Sequence, residues 1–316
     1  MKKLNQGRQF KTFGQILDAL PTDEACREYL ELTLWNKEPV CPHCGVKNKK
    51  HYKLKTKGEF KGLYKCKDCR ARFTVLVGTM FEGSHIPLRK WFIAIYIFSS
   101  HKKGISSLQL SKDLGLTQKT AWFMLHRIRQ AFNNKVDSKF TGVIQVDESF
   151  VGGKSKNKHN DKRIALSQGR SLKNKTPVLG MIINGYRVYT QVIPDTKGTT
   201  IKPIINDMVD QGAIIVTDQW RGYNGLSKNF KHVVLNHKNN EYVRGGFHNN
   251  TIENFWSHLK RGIYGIYHHT STKHLHRYCH EFSYRYNTRK LKDNERFDLS
   301  LKNVNCQISY KELIKK

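Results

Sequence analysis

Val143-Ile144-Gln145-Val146-Asp147 is a short β-rich run that ends on a carboxylate, and its reading decides the fold of the chain's second half. Three β-branched residues in four, in a run too short for a buried helix, predict a buried strand. A second run of the same kind, Ala213-Ile214-Ile215-Val216, leads into Thr217-Asp218. Between them, 178–183 and 186–193 predict two strands that turn at Asn184-Gly185, a pair suited to the tightest hairpin loop, and 201–208 predicts a crossover helix. Two longer helices are predicted near 251–262 and 272–289. Strand, hairpin, helix, strand and helix in one stretch predict a mixed α/β domain, placed at 138–300 with 301–316 as a C-terminal tail.

Toward the N-terminus the pattern changes twice. Residues 84–134 are helical in period: one helix capped by Ser106 or Ser107 runs to Leu114, Gly115 supplies a turn, and Thr117 caps a second helix with Ala121, Leu125 and Ile128 on its apolar side. That is a helix-turn-helix pattern, whose second helix would offer Gln118, Lys119 and Thr120 to a DNA groove; a plain helical hairpin has the same spacing. Residues 38–80 hold Cys41-Pro42-His43-Cys44 and Cys66-Lys67-Asp68-Cys69, two knuckles spaced to set four thiolates around one Zn²⁺. With Cys41, Cys44, Cys66 and Cys69 filling every position, the zinc is expected to be structural, with His43 and His51 as bystanders and Cys26, Cys279 and Cys306 as ordinary thiols. Strands are expected at 63–64 and 73–77, and residues 1–37 form an N-terminal helical segment with Thr22 as a cap.

Charge narrows the partner. The 316 residues carry 56 Lys and Arg against 25 Asp and Glu, a net +31, which suits a chain that lies on a polyanion and exchanges its counterions for Lys and Arg. The longest apolar run, 91–98, is far short of the ~20 residues that span a bilayer, so no membrane is expected. The basic N-terminus is followed by no apolar stretch with a cleavage site, and seven cysteines are an odd number, so a reducing, cytoplasmic and nucleoid-associated location is expected. Residues 152–176 carry eight Lys or Arg and a single acid, Asp161, which reads equally as a solvated insertion or as a DNA-contacting arm.

Against that background the acids stand out. Asp147 and Asp218 are each expected at a strand end, and Glu253 opens an amphipathic helix with Ile252, Phe255, Trp256, Leu259 and Ile263 on its apolar face. Carboxylates converging from strand ends and a helix are hard oxygen ligands, suited to two Mg²⁺ or Mn²⁺ ions ~3.5–4 Å apart at a phosphoryl displacement. Lys260 lies nearly two turns after Glu253, on the same helix face, where it could hold a phosphate. Glu148 should point to the opposite face of its strand and is the weaker candidate.

At these residues the chain resembles the DDE transposases of a bacterial insertion-sequence group related to the Merlin transposons. The matching stretches are Val146-Asp147-Glu148-Ser149-Phe150-Val151-Gly152-Gly153-Lys154, Thr217-Asp218-Gln219-Trp220-Arg221-Gly222-Tyr223, and 248–262, extended by 264–269 and 284–289. The resemblance covers roughly residues 12–295 with the ribbon included, and its specificity lies in the combination. It implies a zinc ribbon joined to an RNase H-like α/β catalytic domain, with the helix-turn-helix region read above lying between them in sequence. It also implies a metal-binding triad of Asp147, Asp218 and Glu253 with Lys260 at the family's basic position, and DNA contacts at Arg221 and Arg261. Gln219 and Asn254 depart from the glycines common at those places. The implied activity is cleavage and strand transfer at an element's terminal inverted repeats, with double-stranded DNA as partner and a homodimer or larger assembly holding two ends. A nuclease without strand transfer and a transposase-derived regulator are the alternatives; acids facing DNA give a pure binder nothing.

Overall fold

Pro21 breaks the first predicted helix in two. In the computed structural model, which describes residues 10, 12–58, 62–132, 138–153, 159–163, 171–239 and 241–315, α1 (Phe13–Ala19) starts at Thr12 and α2 (Asp23–Trp35) at Thr22. Each threonine hydroxyl accepts a backbone N–H three residues on, satisfying a donor that the helix leaves open. Nearly half of the basic stretch 152–176, namely 154–158 and 164–170, lies outside the described residues, as do 1–9. The chain forms two units, 1–132 with 290–316, and 133–289.

In the first unit, β1 (Tyr52–Lys53), β2 (Tyr64–Lys65) and β3 (Arg72–Phe73) make an antiparallel sheet in the order β1-β2-β3. The strand expected over 73–77 stops at Phe73. There the Thr74 hydroxyl accepts from the Leu76 N–H, and the Val77 N–H turns back to the Thr74 carbonyl. Trp35, at the end of α2, packs edge-on against Tyr64 and Phe73, so helix and sheet share one aromatic core. Next comes α3 (Leu88–Ser100), apolar on nearly every side and correspondingly buried. α4 (Ser107–Leu114) and α5 (Gln118–Ala131) follow as expected: Ser106 and Thr117 cap them, and Gly115 turns between them at φ 58°, where a Cβ would be strained.

The second unit is built on a five-stranded sheet with the order β6-β5-β4-β7-β8. Its strands are β4 (Val143–Gly152), β5 (Lys175–Ile183), β6 (Arg187–Val192), β7 (Ile214–Thr217) and β8 (Lys231–Val234). β4, β5 and β6 are antiparallel neighbours, while β7 and β8 run parallel to β4. The β5–β6 turn has Asn184 at φ 49° and Gly185 at φ 70°, the two left-handed residues that a type I′ turn demands. α6 (Gly198–Met208) makes the crossover from β6 to β7, and its Ile201 and Ile205 pack on one sheet face with Ile144, Val146 and Ile215. A small hairpin, β9 (Val243–Arg244) and β10 (Phe247–His248), leads into α7 (Asn250–Gly262). α7 and α8 (Thr272–Asn287) cover the other face through Ile252, Phe255, Leu259 and Phe282. One expectation is corrected: β4 does not end at Asp147 but continues to Gly152, because Ser149, Phe150 and Val151 keep their pairing with β5.

The first unit is completed by the end of the chain. α9 (Asp293–Lys302) and α10 (Tyr310–Ile314) belong to it, so the division at 300 and the tail at 301–316 drawn from sequence differ from the structure. Buried Arg296 donates to the Ser99 carbonyl at 2.8 Å, and Phe297 packs among Tyr29, Phe92 and Tyr96. Arg127 of α5 donates to the carbonyls of Ile308 and Met80 at 3.1 and 2.7 Å. Among the described residues no helix is long and apolar enough to cross a membrane.

Candidate active site

Asp147 and Asp218 are neighbours by register. In the parallel pairing of β4 with β7, Gln145 stands opposite Val216, and each aspartate lies two residues further along its chain, on neighbouring strands ~4.8 Å apart. Asp218 follows the last residue of β7, and its Oδ1 accepts the Trp220 N–H at 2.9 Å. Thr217 braces it from behind: its hydroxyl donates to the Asp218 carbonyl and, having no second proton, accepts from His232 Nε2–H at 2.9 Å. Burial lowers the His232 pKa, which keeps that ring neutral at pH 7.

The third acid arrives on α7, and β4 itself holds that helix in place. Asn249 sits at the N-cap position without making a cap, and Gln145 takes over: its Oε1 accepts the Ile252 N–H at 3.1 Å, and its Nε2 donates to Thr251 Oγ1 at 3.3 Å. One turn on, Trp256 Nε1 donates to Asp147 Oδ2 at 3.0 Å. The indole has room because Gly180 faces Asp147 across the β4–β5 ladder; a Cβ there would stand 2.5 Å from Trp256 Cζ2. Glu253, three residues before Trp256 and exposed, is therefore on the turn next to the Asp147 contact. Lys260 is half-buried. Burial pulls its ammonium below the ordinary range, Asp147 acts the other way, and Lys175 adds to the lowering.

Behind the aspartates is a residue the sequence reading did not single out. Tyr223 is fully buried, and burial, followed by the carboxylates of Glu148, Asp147 and Asp218, raises its hydroxyl well above the ordinary phenol range. Strand alternation is obeyed: Asp147 meets α7 on one face and Glu148 meets Tyr223 on the other.

The thiols converge more tightly. Cys41 and Cys69 Sγ are 3.7 Å apart, Cys44 and Cys66 Sγ 3.6 Å, and all four lie within 4.8 Å of one another. A tetrahedron with ~2.3 Å Zn–S bonds has edges of ~3.8 Å, so the four cysteines fit a structural Zn²⁺. His51 meets Cys66 and Asp68 closely, but its Nδ1 accepts the Lys67 N–H and its Nε2–H donates to the Val46 carbonyl, so both ring nitrogens are engaged. The three carboxylates are not drawn within 4.8 Å of one another as the thiols are. Two dications ~3.5–4 Å apart take a wider donor set than one ion does, and oxygen donors are the chemistry Mg²⁺ and Mn²⁺ prefer.

Two family profiles match the stretches that carry these residues. The profile of the ISXO2-like transposase domain matches residues 139–287, which hold all three acids and Lys260, and that of the transposase zinc-ribbon domain matches 21–72, which hold all four cysteines. An uncharacterized transposase-like protein of Haemophilus influenzae is 33% identical over 115 residues, 34% of this chain and 85% of that protein. The chain belongs to the ISXO2-like transposases. An uncharacterized protein in transposable element ISH50 of Halobacterium salinarum is 28% identical over 241 residues, 72% of this transposase and 79% of that protein. The crystal structure of a pre-cleavage Mos1 transpososome aligns with 65% of this chain and 75% of that one at 12% identity and a TM-score of 0.25, too distant to carry an argument.

The transposase exposes some of the expected DNA contacts and ties down others. Arg221 is exposed directly after the Asp218 turn, and Arg261 is exposed on α7 with its Nη2 on Ser257 Oγ at 2.9 Å. Gln118 and Lys119 are exposed at the start of α5, with the Lys119 ammonium 4.8 Å over the Tyr310 ring. The Thr120 hydroxyl lies 2.8 Å from that of Thr117, which draws it into the cap. Sequence reasoning passed over Gln145, Trp256 and Tyr223. The available signal was a glutamine inside a buried strand, since a buried amide implies a partner worth finding.

Proposed function

We propose that Asp147, Asp218 and Glu253 hold two Mg²⁺ or Mn²⁺ ions in an RNase H-like domain that cuts and joins DNA at the ends of the element. The observation that carries this reading is the Trp256–Asp147 hydrogen bond, which ties the helix bearing Glu253 to the strand pair bearing the two aspartates. Three of only 25 acids in a chain of charge +31 would thereby serve one site.

Bound there, the ions would activate the attacking oxygen and stabilise the leaving one. The chain's own residues set the geometry. Trp256 fixes one Asp147 oxygen, and the Trp220 N–H does the same for Asp218. Lys260 offers an ammonium to phosphate beside Asp147. Water attacks the phosphodiester at the element's end and releases a 3′-hydroxyl; that hydroxyl then attacks target DNA and expels another. Both are in-line displacements at phosphorus, so one site serves both. Holding two ends together calls for a homodimer or larger assembly. The test is incubation of the full chain with duplex carrying the element's end, with Mg²⁺ or EDTA, scored for a metal-dependent 3′-hydroxyl and for joined product.

Trp256→Phe keeps the ring in the core but removes the donor to Asp147. A hydrogen bond to a charged group contributes ~1.5–3 kcal/mol, so cleavage is expected to fall roughly tenfold to a hundredfold and the melting temperature by roughly several degrees. Unchanged cleavage rates would separate the indole from the site.

End recognition is assigned to the first unit, with Gln118 and Lys119 the side chains best presented to a groove. Because Arg127, Met80 and Ser99 bond to 290–316, a fragment ending at 134 is expected to lose sequence-preferring binding that reappears when 290–316 is supplied. Binding of the full chain to random duplex should fall steeply with salt, with a log–log slope near −0.9 per neutralised phosphate. Anisotropy titrations check both; a flat salt dependence contradicts the polyanion reading.

A further inference from the structure

Beyond Asp147 the strand β4 runs on for five residues, and at its far end lies a cavity that plays no part in holding the acids. The cavity, of about 330 Å³, is lined by Gly153, Lys173, Lys175, His269 and Thr272 among others. Among the described residues no carboxylate lines it. We propose that this cavity is a second phosphate site, which takes a backbone phosphate of the same DNA strand some nucleotides away from the one attacked. The proposal rests on the cleavage reading for its register, though not for its chemistry.

Three observations point to a DNA backbone. The first is continuity. α7 crosses β4 so that Trp256 meets Asp147 at one end, while the Tyr264 hydroxyl, just past α7, donates to the Gly152 carbonyl at the other. Lys260 lies between them and interacts electrostatically with both Asp147 and Lys175. Cations thus stand at both ends of this stretch, Lys260 near Asp147 and Lys175 with Lys173 at the cavity. Five strand residues span ~17 Å, several times the ~3.4 Å axial rise between successive phosphates of one DNA strand. A mononucleotide would meet only one end of such a stretch, whereas a polymer with regular charges meets both.

The second is how the cavity is made. A Cβ on Gly152 would collide with the Asn174 carbonyl, so glycine lets the 172–175 segment lie against β4 and brings both lysines to the rim. A Cβ on Gly153 would meet no described residue within 4 Å. The Gly152-Gly153 pair of the matching stretch thereby gains a role that the acids did not give it. The third is strain. A π-helical turn, Ile263–Tyr267, ends at His268 with φ 59° and ψ −47°, a costly conformation for a side-chain-bearing residue, and that turn delivers 269–272 to the cavity wall.

The test uses the full chain and a random-sequence duplex without divalent cations. Gly153→Glu places a carboxylate in the cavity, and Gly153→Gln is the uncharged control of equal size. Gly153→Glu is expected to bind roughly tenfold more weakly than Gly153→Gln at moderate salt, with a salt slope reduced by about one contact. Acetylation read by mass spectrometry should show Lys173 and Lys175 protected by duplex in the wild-type and Gly153→Gln chains and unprotected in Gly153→Glu. Equal affinity of the Glu and Gln variants, or lysines modified equally with and without duplex, overturns the proposal. Since binding is read without metal, a wild-type chain that fails to cleave in Mg²⁺ would overturn the two-metal reading and leave this result standing.

Discussion

Asp147→Ala, Asp218→Ala and Glu253→Ala are each expected to abolish metal-dependent cleavage and joining, by about a thousandfold or more, while leaving end binding intact. Each carboxylate is asked to place a dication against charge that appears only in the transition state, where losing one well-aimed group typically costs 10²–10³ or more in rate. Binding uses lysine and arginine on phosphate, so removing a negative charge near the strand should, if anything, tighten it. Lys260→Ala should lower activity by less, because it would contact phosphate without holding an ion. Glu148→Ala behaves differently from what strand alternation alone suggests. From sequence it is expected to retain substantial activity; in the structure the carboxylate lies beside the fully buried Tyr223, so its removal is expected to show in the melting temperature as well. Product gels with end-labelled duplex, read beside gel-shift affinities, separate the two effects. An Asp218→Ala chain that cleaves and joins near the wild-type rate would refute the site.

Cys41→Ser, or removal of zinc by a chelator, is expected to unfold the ribbon. Structural zinc contributes ~10–16 kcal/mol of apparent binding energy in small fingers, comparable to or larger than the whole ~5–15 kcal/mol that holds a typical domain folded. The ribbon has little else: its strands are two residues long, and its apolar contacts centre on Tyr64, Phe73 and Trp35. Loss should therefore spread into the end of α2, while the second unit, with its own two apolar clusters, keeps its amide protection. Zinc needs thiolates, so acid should release it. In the metal-free ribbon the groups split: at Cys66 burial opposes the thiolate, but the N–H groups of Cys69 and Asp68 outweigh it and bring the thiol to about 6. At Cys44 the Val46 N–H favours the thiolate, but burial and the three neighbouring thiols push it up to about 12. One zinc per wild-type chain by metal analysis, none in Cys41→Ser, and hydrogen exchange that accelerates over 38–79 on chelation are the expected results. Full zinc content in Cys41→Ser would refute the ligand set.

Much of the molecule was legible because its signals are local. Thr22, Ser106 and Thr117 cap the helices their neighbours suggested, Asn184-Gly185 makes the turn its chemistry demands, and the two knuckles close on one another. These depend on a few consecutive residues or on one rigid spacing. What was not legible depends on partners far away in sequence. Strand β8 is half-exposed and begins Lys231-His232, with no alternation to betray it; it forms because β7 offers a free parallel edge. The segment 301–316 looks like a tail because its few apolar residues, Val304, Ile308 and Leu313, find their partners only in the folded first unit.

By itself the sequence determined the kind of chemistry: a +31 chain with a four-thiol zinc ribbon, a helix-turn-helix and acids at a sheet. Composition and short spacings survive any arrangement of the chain, so they can be read before folding. Only the tertiary structure decided that β4 runs through Asp147 to Gly152, that Gln145 caps the helix carrying Glu253, that Trp256 holds Asp147 across Gly180, and that Tyr223 lies behind the acids. Apart from Tyr223 with Asp218, each of those contacts joins residues from 23 to 109 positions apart, and a contact across such a distance leaves no periodic trace in the chain.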